Sequence, residues 1–216
     1  MTDDIIEPSR FFSAEDVQYM QRALQLAAHA RDAENEVPVG AVVAHGGEII
    51  GLGWNRNITL HDPTAHAEIQ AMRAAGEKLA NHRLSGATLY VTLEPCSMCA
   101  MAMIHARIDR VVYAAADPKT GAAGSVFDTL ISERHNHRIA VAGGLLAEES
   151  AALLRDFFRA RRRLPASKER QRLRARLLDF QSQQIIGTGT SDVHCGDGLA
   201  STRSGIDETV ARKHHQ

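Results

Sequence analysis

Cysteine is scarce in this 216-residue chain. There are three, and two of them sit together as Cys96-Ser97-Met98-Cys99. That number builds no disulfide framework, so the pair is expected to bind metal or to do redox chemistry. No run approaches the ~18 consecutive apolar residues of a membrane-spanning helix. Residues 1–8 are acidic and lack the charged-then-apolar pattern of an export signal, which makes a cytoplasmic protein the expectation. No internal repeat is visible. Net charge is nearly absent too: 25 basic residues face 26 acidic ones, a balance of -1. The distribution is less even. Residues 159–176 carry nine Lys or Arg against Glu169 alone, a strongly basic segment that the average conceals.

What is present reads as one globular domain with an appendage. Hydrophobic residues are 44% and charged residues 24% of the chain, which is ordinary for a folded domain and leaves little room for two. Residues 1–13 have no periodicity and read as a leader. From 14 to 33, Val17, Met20, Leu24, Ala27 and Ala28 recur at helical spacing. Segments 39–44 and 48–54 are β-rich, and His45-Gly46-Gly47 between them predicts a hairpin. Asp62-Pro63 reads as a helix start, with the helix running through an alanine-rich stretch to Ala75 and ending at Gly76.

Strands are expected at 88–93 and 111–115, with a weaker one at 138–142, and helices at 96–106 and 147–163. Hairpin followed by strand–helix–strand alternation predicts an α/β domain over 14–164, a sheet with helices on both faces. Residues 165–216 change character. Segment 168–180 could extend as a basic helix, and 182–216, with five glycines and no aromatic residue, reads as a flexible tail.

The chemistry is concentrated in His66-Ala67-Glu68 and, 26 residues later, Pro95-Cys96-Ser97-Met98-Cys99. Cysteines three apart at a helix start share a face and can grip one ion, with the helix amides stabilising their thiolates. His66 adds a nitrogen, and one nitrogen with two sulfurs suits Zn²⁺. Three protein ligands leave a fourth tetrahedral position open, the mark of a catalytic rather than a structural zinc. Glu68, about 200° round a helix from His66, is then free to move a proton beside the zinc-bound water. Other readings start from the same letters. Cys-x-x-Cys alone is also a redox pair, and Cys195 or His61 would close the shell and make the zinc structural. His105 reads as a core histidine, and Met98, Met101 and Met103 as packing.

The paired motifs match the His-x-Glu and Pro-Cys-x-x-Cys signature of zinc nucleobase deaminases. Further segments extend the match: Glu36-Val37-Pro38-Val39-Gly40, Gly53-Trp54-Asn55-Arg56, Thr88 through Cys96, Met103 through Ile108, and Lys119 through Ser125. Together they resemble the bacterial tRNA-specific adenosine deaminases, which convert the wobble adenosine of an anticodon to inosine. The resemblance spans about residues 15–163. It implies a three-layer α/β/α cytidine-deaminase-like fold with a central mixed five-stranded sheet, a homodimer, and one Zn²⁺ per subunit.

It also implies His66, Cys96 and Cys99 as ligands and Glu68 as the proton shuttle. Asn55 would hydrogen-bond the target base, Asp117 and Lys119 would meet anticodon nucleotides, and Phe158 and Arg162 would touch RNA. Ala116 stands where a charged residue is frequent in the family. Two other functions compete: a deaminase of guanine, cytosine or cytidine, and a non-catalytic zinc-stabilised RNA-binding module. The loop from Asp117 to Ser125 and the basic C-terminal helix favour RNA over a free base.

Overall fold

The computed structural model describes residues 12–163 and Leu178. The expected leader before Phe12, the basic helix and tail over 165–216, and Cys195 lie outside the described residues.

Helix α1 (Ala14–Glu34) opens with a capping box. The Asp16 amide donates to Ser13 Oγ at 3.1 Å, and the Ser13 amide returns a bond to Asp16 Oδ2 at 2.9 Å, so two otherwise unpaired donors are satisfied at the helix start. Strands β1 (Gly40–His45) and β2 (Glu48–Trp54) follow as a hairpin. Its two-residue turn has positive φ at both Gly46 (59°) and Gly47 (82°), the backbone that matches strand twist and that only glycine adopts without cost. Next come α2 (Ala67–Leu79), β3 (Thr88–Leu93), α3 (Ser97–Ala106), β4 (Arg110–Ala115), β5 (Ala140–Gly143) and α4 (Ala147–Arg163).

The strands form one mixed sheet in the order β2-β1-β3-β4-β5. Strand β1 is antiparallel to both neighbours, whereas β3, β4 and β5 are parallel. Alternation along the strands feeds two cores. Ala41, Val43, Leu89, Val91 and Val111 face Ala71, Met72, Cys99, Ala100 and Met103 of α2 and α3. Val42, Tyr90, Val112 and Ala114 face Met20, Ala23 and Leu26 of α1. Helix α4 packs beside α1 on that second face, tied down where the Ser150 hydroxyl donates to the Thr92 carbonyl. The sheet is therefore covered on both sides, as expected.

Several local expectations need correction. Helix α2 starts at Ala67, not at Asp62, because Asp62 spends its carboxylate locally. Its Oδ1 accepts both the Thr64 amide and the Thr64 hydroxyl at 2.7 Å, an Asx turn that competes with helix entry. Gly76 lies inside the helix, which ends instead at Ala80 with φ 48°. The buried line of α1 is Met20, Ala23, Leu26, Ala27 and Ala30, rotated from the line through Leu24 and Ala28. His105 is exposed rather than in the core, and Met98 is exposed while Met103 is fully buried.

Candidate active site

Topology brings the motifs together. Because β1 is antiparallel to both β2 and β3, those two strands run the same way and end at the same edge of the sheet. The chain leaving β2 enters α2, the chain leaving β3 enters α3, and the loop after β4 begins at that edge as well. A crevice at the carboxyl ends of parallel strands is where open α/β sheets place ligands.

His66 and Cys96 occupy equivalent positions. Each is the N-cap of its helix with extended backbone (φ -70°, ψ 154° and φ -75°, ψ 169°), and neither side chain caps its own helix. Both side chains point instead at a common point. His66 Nδ1 lies 3.6 Å from Cys96 Sγ and 3.5 Å from Cys99 Sγ, and all three ligand atoms fall within 4.8 Å of one another. They can hold one metal ion. Neither His61 nor any other described residue joins that group.

The three side chains perturb one another's titration. The Cys96 thiol is pulled down to about 4, first by the bond from the Cys99 thiol and also by His66. Cys99 is pushed up by that same bond and by burial. His66 is raised, chiefly by its bond to Cys96. The positive ends of α2 and α3 converge on these sulfurs and favour their charge.

Glu68 sits in the first turn of α2, 4% exposed. Burial raises its pKa, against smaller lowering contributions from its own backbone amide, His66 and the Cys99 thiol. A carboxyl buried beside the trio and held above its ordinary range is suited both to take and to return a proton. The turn that carries it is fastened from outside the helix: Asn55 Oδ1 accepts the Ala67 amide at 2.9 Å. Asn55 is thus no local turn residue but a remote cap, bonded across twelve positions.

The four remaining expected contacts line one groove. Asp117, Lys119, Phe158 and Arg162 border a cavity of about 570 Å³ floored by Val37, Leu93 and Leu154. Phe158 is 43% exposed, while its neighbour Phe157 fills the core. Asp117 is occupied by its own loop, accepting the Lys119 amide at 2.9 Å and the Thr120 hydroxyl at 2.6 Å. The groove is not lined by the ligand trio or by Glu68. The connection is a short bridge between Cys96 and Gly121, reinforced by the Ala122 amide on the Pro95 carbonyl at 2.8 Å.

Besides Asp16 of α1, two buried carboxylates were given no role from sequence. Glu36 accepts the Thr59 amide at 2.6 Å, and Glu94 accepts three amides of the loop after β4. For Glu94 the available signal was a charged residue directly after an apolar β-run and before Pro95-Cys96.

A His-Cys-Cys trio able to hold a metal on paired helix ends, with a buried acid beside it at one edge of a mixed five-stranded sheet, is the arrangement of a hydrolytic deaminase. The chain belongs to the MafB19-like deaminase family, whose pattern matches residues 14–162. It is 50% identical over 148 residues to the tRNA-specific adenosine deaminase of Haemophilus influenzae, covering 68% of this chain and 85% of that protein. Among solved structures it is similar to one from work on A-to-I editing by tRNA:A34 deaminases at the wobble position of transfer RNA. That match has a TM-score of 0.61 and 46% identity, over 63% of this chain and 99% of the other. It also resembles the guanine deaminase of Nitrosomonas europaea, with a TM-score of 0.58 and 29% identity over 67% and 84%.

Proposed function

We propose that this chain deaminates adenosine to inosine at the wobble position of a tRNA anticodon, with Zn²⁺ held by His66 Nδ1, Cys96 Sγ and Cys99 Sγ. The observation that carries the metal assignment is a pair of distances. Zinc at ~2.0–2.1 Å from nitrogen and ~2.3 Å from sulfur, at tetrahedral angles, sets nitrogen–sulfur edges of ~3.6 Å; the protein has 3.6 and 3.5 Å. When bound there, zinc supplies a Lewis acid that brings the pKa of a water towards ~7.

The residues of the chain do the rest. Glu68 takes a proton from the attacking water as oxygen adds to carbon 6 of adenine. It delivers that proton to ring nitrogen 1, then takes the proton of the hydroxyl newly added at carbon 6 and passes it to the amino group, so that the carbon–nitrogen bond breaks, one water is consumed and one ammonia leaves. Asn55 holds the turn bearing Glu68 and contacts the base. Lys119, Phe158 and Arg162 offer charge and an aromatic face to the neighbouring nucleotides, and Asp117 shapes the loop that presents Lys119. An anticodon base is already unpaired, so placing it in a pocket costs less than extruding it from a duplex.

Two further assignments belong to this reading. The enzyme is a homodimer, supported by exposed Met98, Val126, Phe127 and Ile131, which a second copy would bury. It works in the cytoplasm beside its tRNA; among the described residues no helix is long and apolar enough to cross a membrane. The test is incubation with an anticodon stem-loop carrying adenosine at the wobble position and, separately, with guanine. Inosine and ammonia are expected from the RNA; ammonia from guanine alone would replace this substrate by a free base.

A further inference from the structure

Glu94 directly follows β3, two residues before Cys96, and is 2% exposed. Its carboxylate makes no ion pair among the described residues. It is spent on the loop instead: Oε2 accepts the Asp117 amide at 2.9 Å, Oε1 accepts the amides of Ala123 at 2.9 Å and Ser125 at 3.1 Å, and the Ser125 side chain is a further hydrogen-bond partner. The three amides lie at both ends of the loop whose Asp117 and Lys119 border the groove. The loop wraps directly over the carboxylate, since a Cβ on Gly121 would overlap it. One buried side chain thus grips the loop at two places and is joined through Pro95 to a metal ligand.

We propose that Glu94 is a positioning residue for the nucleic-acid substrate, holding the groove loop in fixed register with His66, Cys96 and Cys99. The proposal rests on the tRNA reading for its kinetic arm only. A carboxylate is required because three N–H groups converge on it. Two oxygens with no donor of their own satisfy all three, and the charge strengthens each bond. An amide cannot do so. In Glu94→Gln the better orientation keeps oxygen towards Ala123 and Ser125 and turns NH₂ towards the Asp117 amide. That end of the loop, the end bordering the groove, is released while the metal ligands stay.

The experiment pairs kinetics with amide exchange in Glu94→Gln. Expected are unchanged zinc per subunit, kcat within about threefold of the parent, and KM for the stem-loop raised about tenfold, as for an abandoned buried donor. The Asp117 amide should exchange at least about tenfold faster, with Ala123 and Ser125 still protected. Unchanged exchange at Asp117, loss of zinc, or a fall in kcat with KM unchanged would each overturn the assignment. Should the variant not fold, the parent decides. Protection of all three amides supports the clamp, and free exchange at any of them removes it. If the parent does not act on tRNA, the functional reading fails while the exchange measurements still judge Glu94.

Discussion

Acid should strip a defined increment of stability from one carboxylate, Asp16. Buried at 3% exposure on α1, it receives Arg110 Nη1 on Oδ1 at 2.6 Å and Nη2 on Oδ2 at 3.0 Å. The Tyr90 hydroxyl donates to Oδ1 at 2.7 Å, and the Ser13 amide to Oδ2 at 2.9 Å. Burial alone would raise its pKa; the bonds from Arg110, Tyr90 and Ser13 outweigh burial and lower it from 3.8 to about 2. A carboxylate depressed on folding stabilises the native state above its unfolded pKa and loses that contribution as pH falls through its folded one. The window is therefore about pH 4 to 2, and the shift corresponds to about 2 kcal/mol. Asp16→Asn leaves Arg110 without its anion and should cost about 3 kcal/mol at pH 7, the lower end for a broken buried pair because Arg110 is partly exposed. Urea unfolding of parent and variant at pH 6 and pH 2 is the assay. The difference between the two proteins should shrink by about 2 kcal/mol at the lower pH. A difference independent of pH would refute the reasoning, since metal loss in acid affects both proteins alike.

Other outcomes follow from the site. Glu68→Gln should retain metal and lose deamination by at least ~10²; near-normal single-turnover rates would remove the proton-shuttle role. Cys99→Ser should lower bound zinc at least about tenfold, and chelation followed by added Zn²⁺ should restore the parent but not the variant. Full zinc in that variant, by atomic absorption, would mean the trio is not the site. Charge reversal at Arg159 and Arg162 should weaken stem-loop binding and flatten the dependence of log K on log salt by ~0.7 for each lost phosphate contact. An unchanged slope would take RNA off this groove.

Much of the candidate site was legible in the residue order. The His-Cys-Cys cluster and the acid beside it could be picked out because their types and spacing admit few other chemistries, and the strand segments because short β-rich runs stood between turn signals. The errors share a cause. Asp62-Pro63 resembles a helix start in isolation, and only the bonds to Thr64 show the carboxylate already committed. Likewise the apolar line of α1 admitted two rotations, and the sheet selected the one through Ala23 and Leu26. His105 lies on a helix apolar on almost every side, where periodicity cannot say which residue faces out.

The amino-acid order by itself determined the donor set, its count of three and the acid beside it, since those depend on side-chain chemistry and separation along the chain. Tertiary structure decided what stands opposite what. The edge at which β2, β3 and β4 all end assembles two distant motifs, Asn55 fastens a helix twelve residues away, and Glu94 binds a loop more than twenty residues on. Such bonds join groups far apart in sequence through backbone amides, which every residue but proline carries alike, so no pattern of side chains announces them.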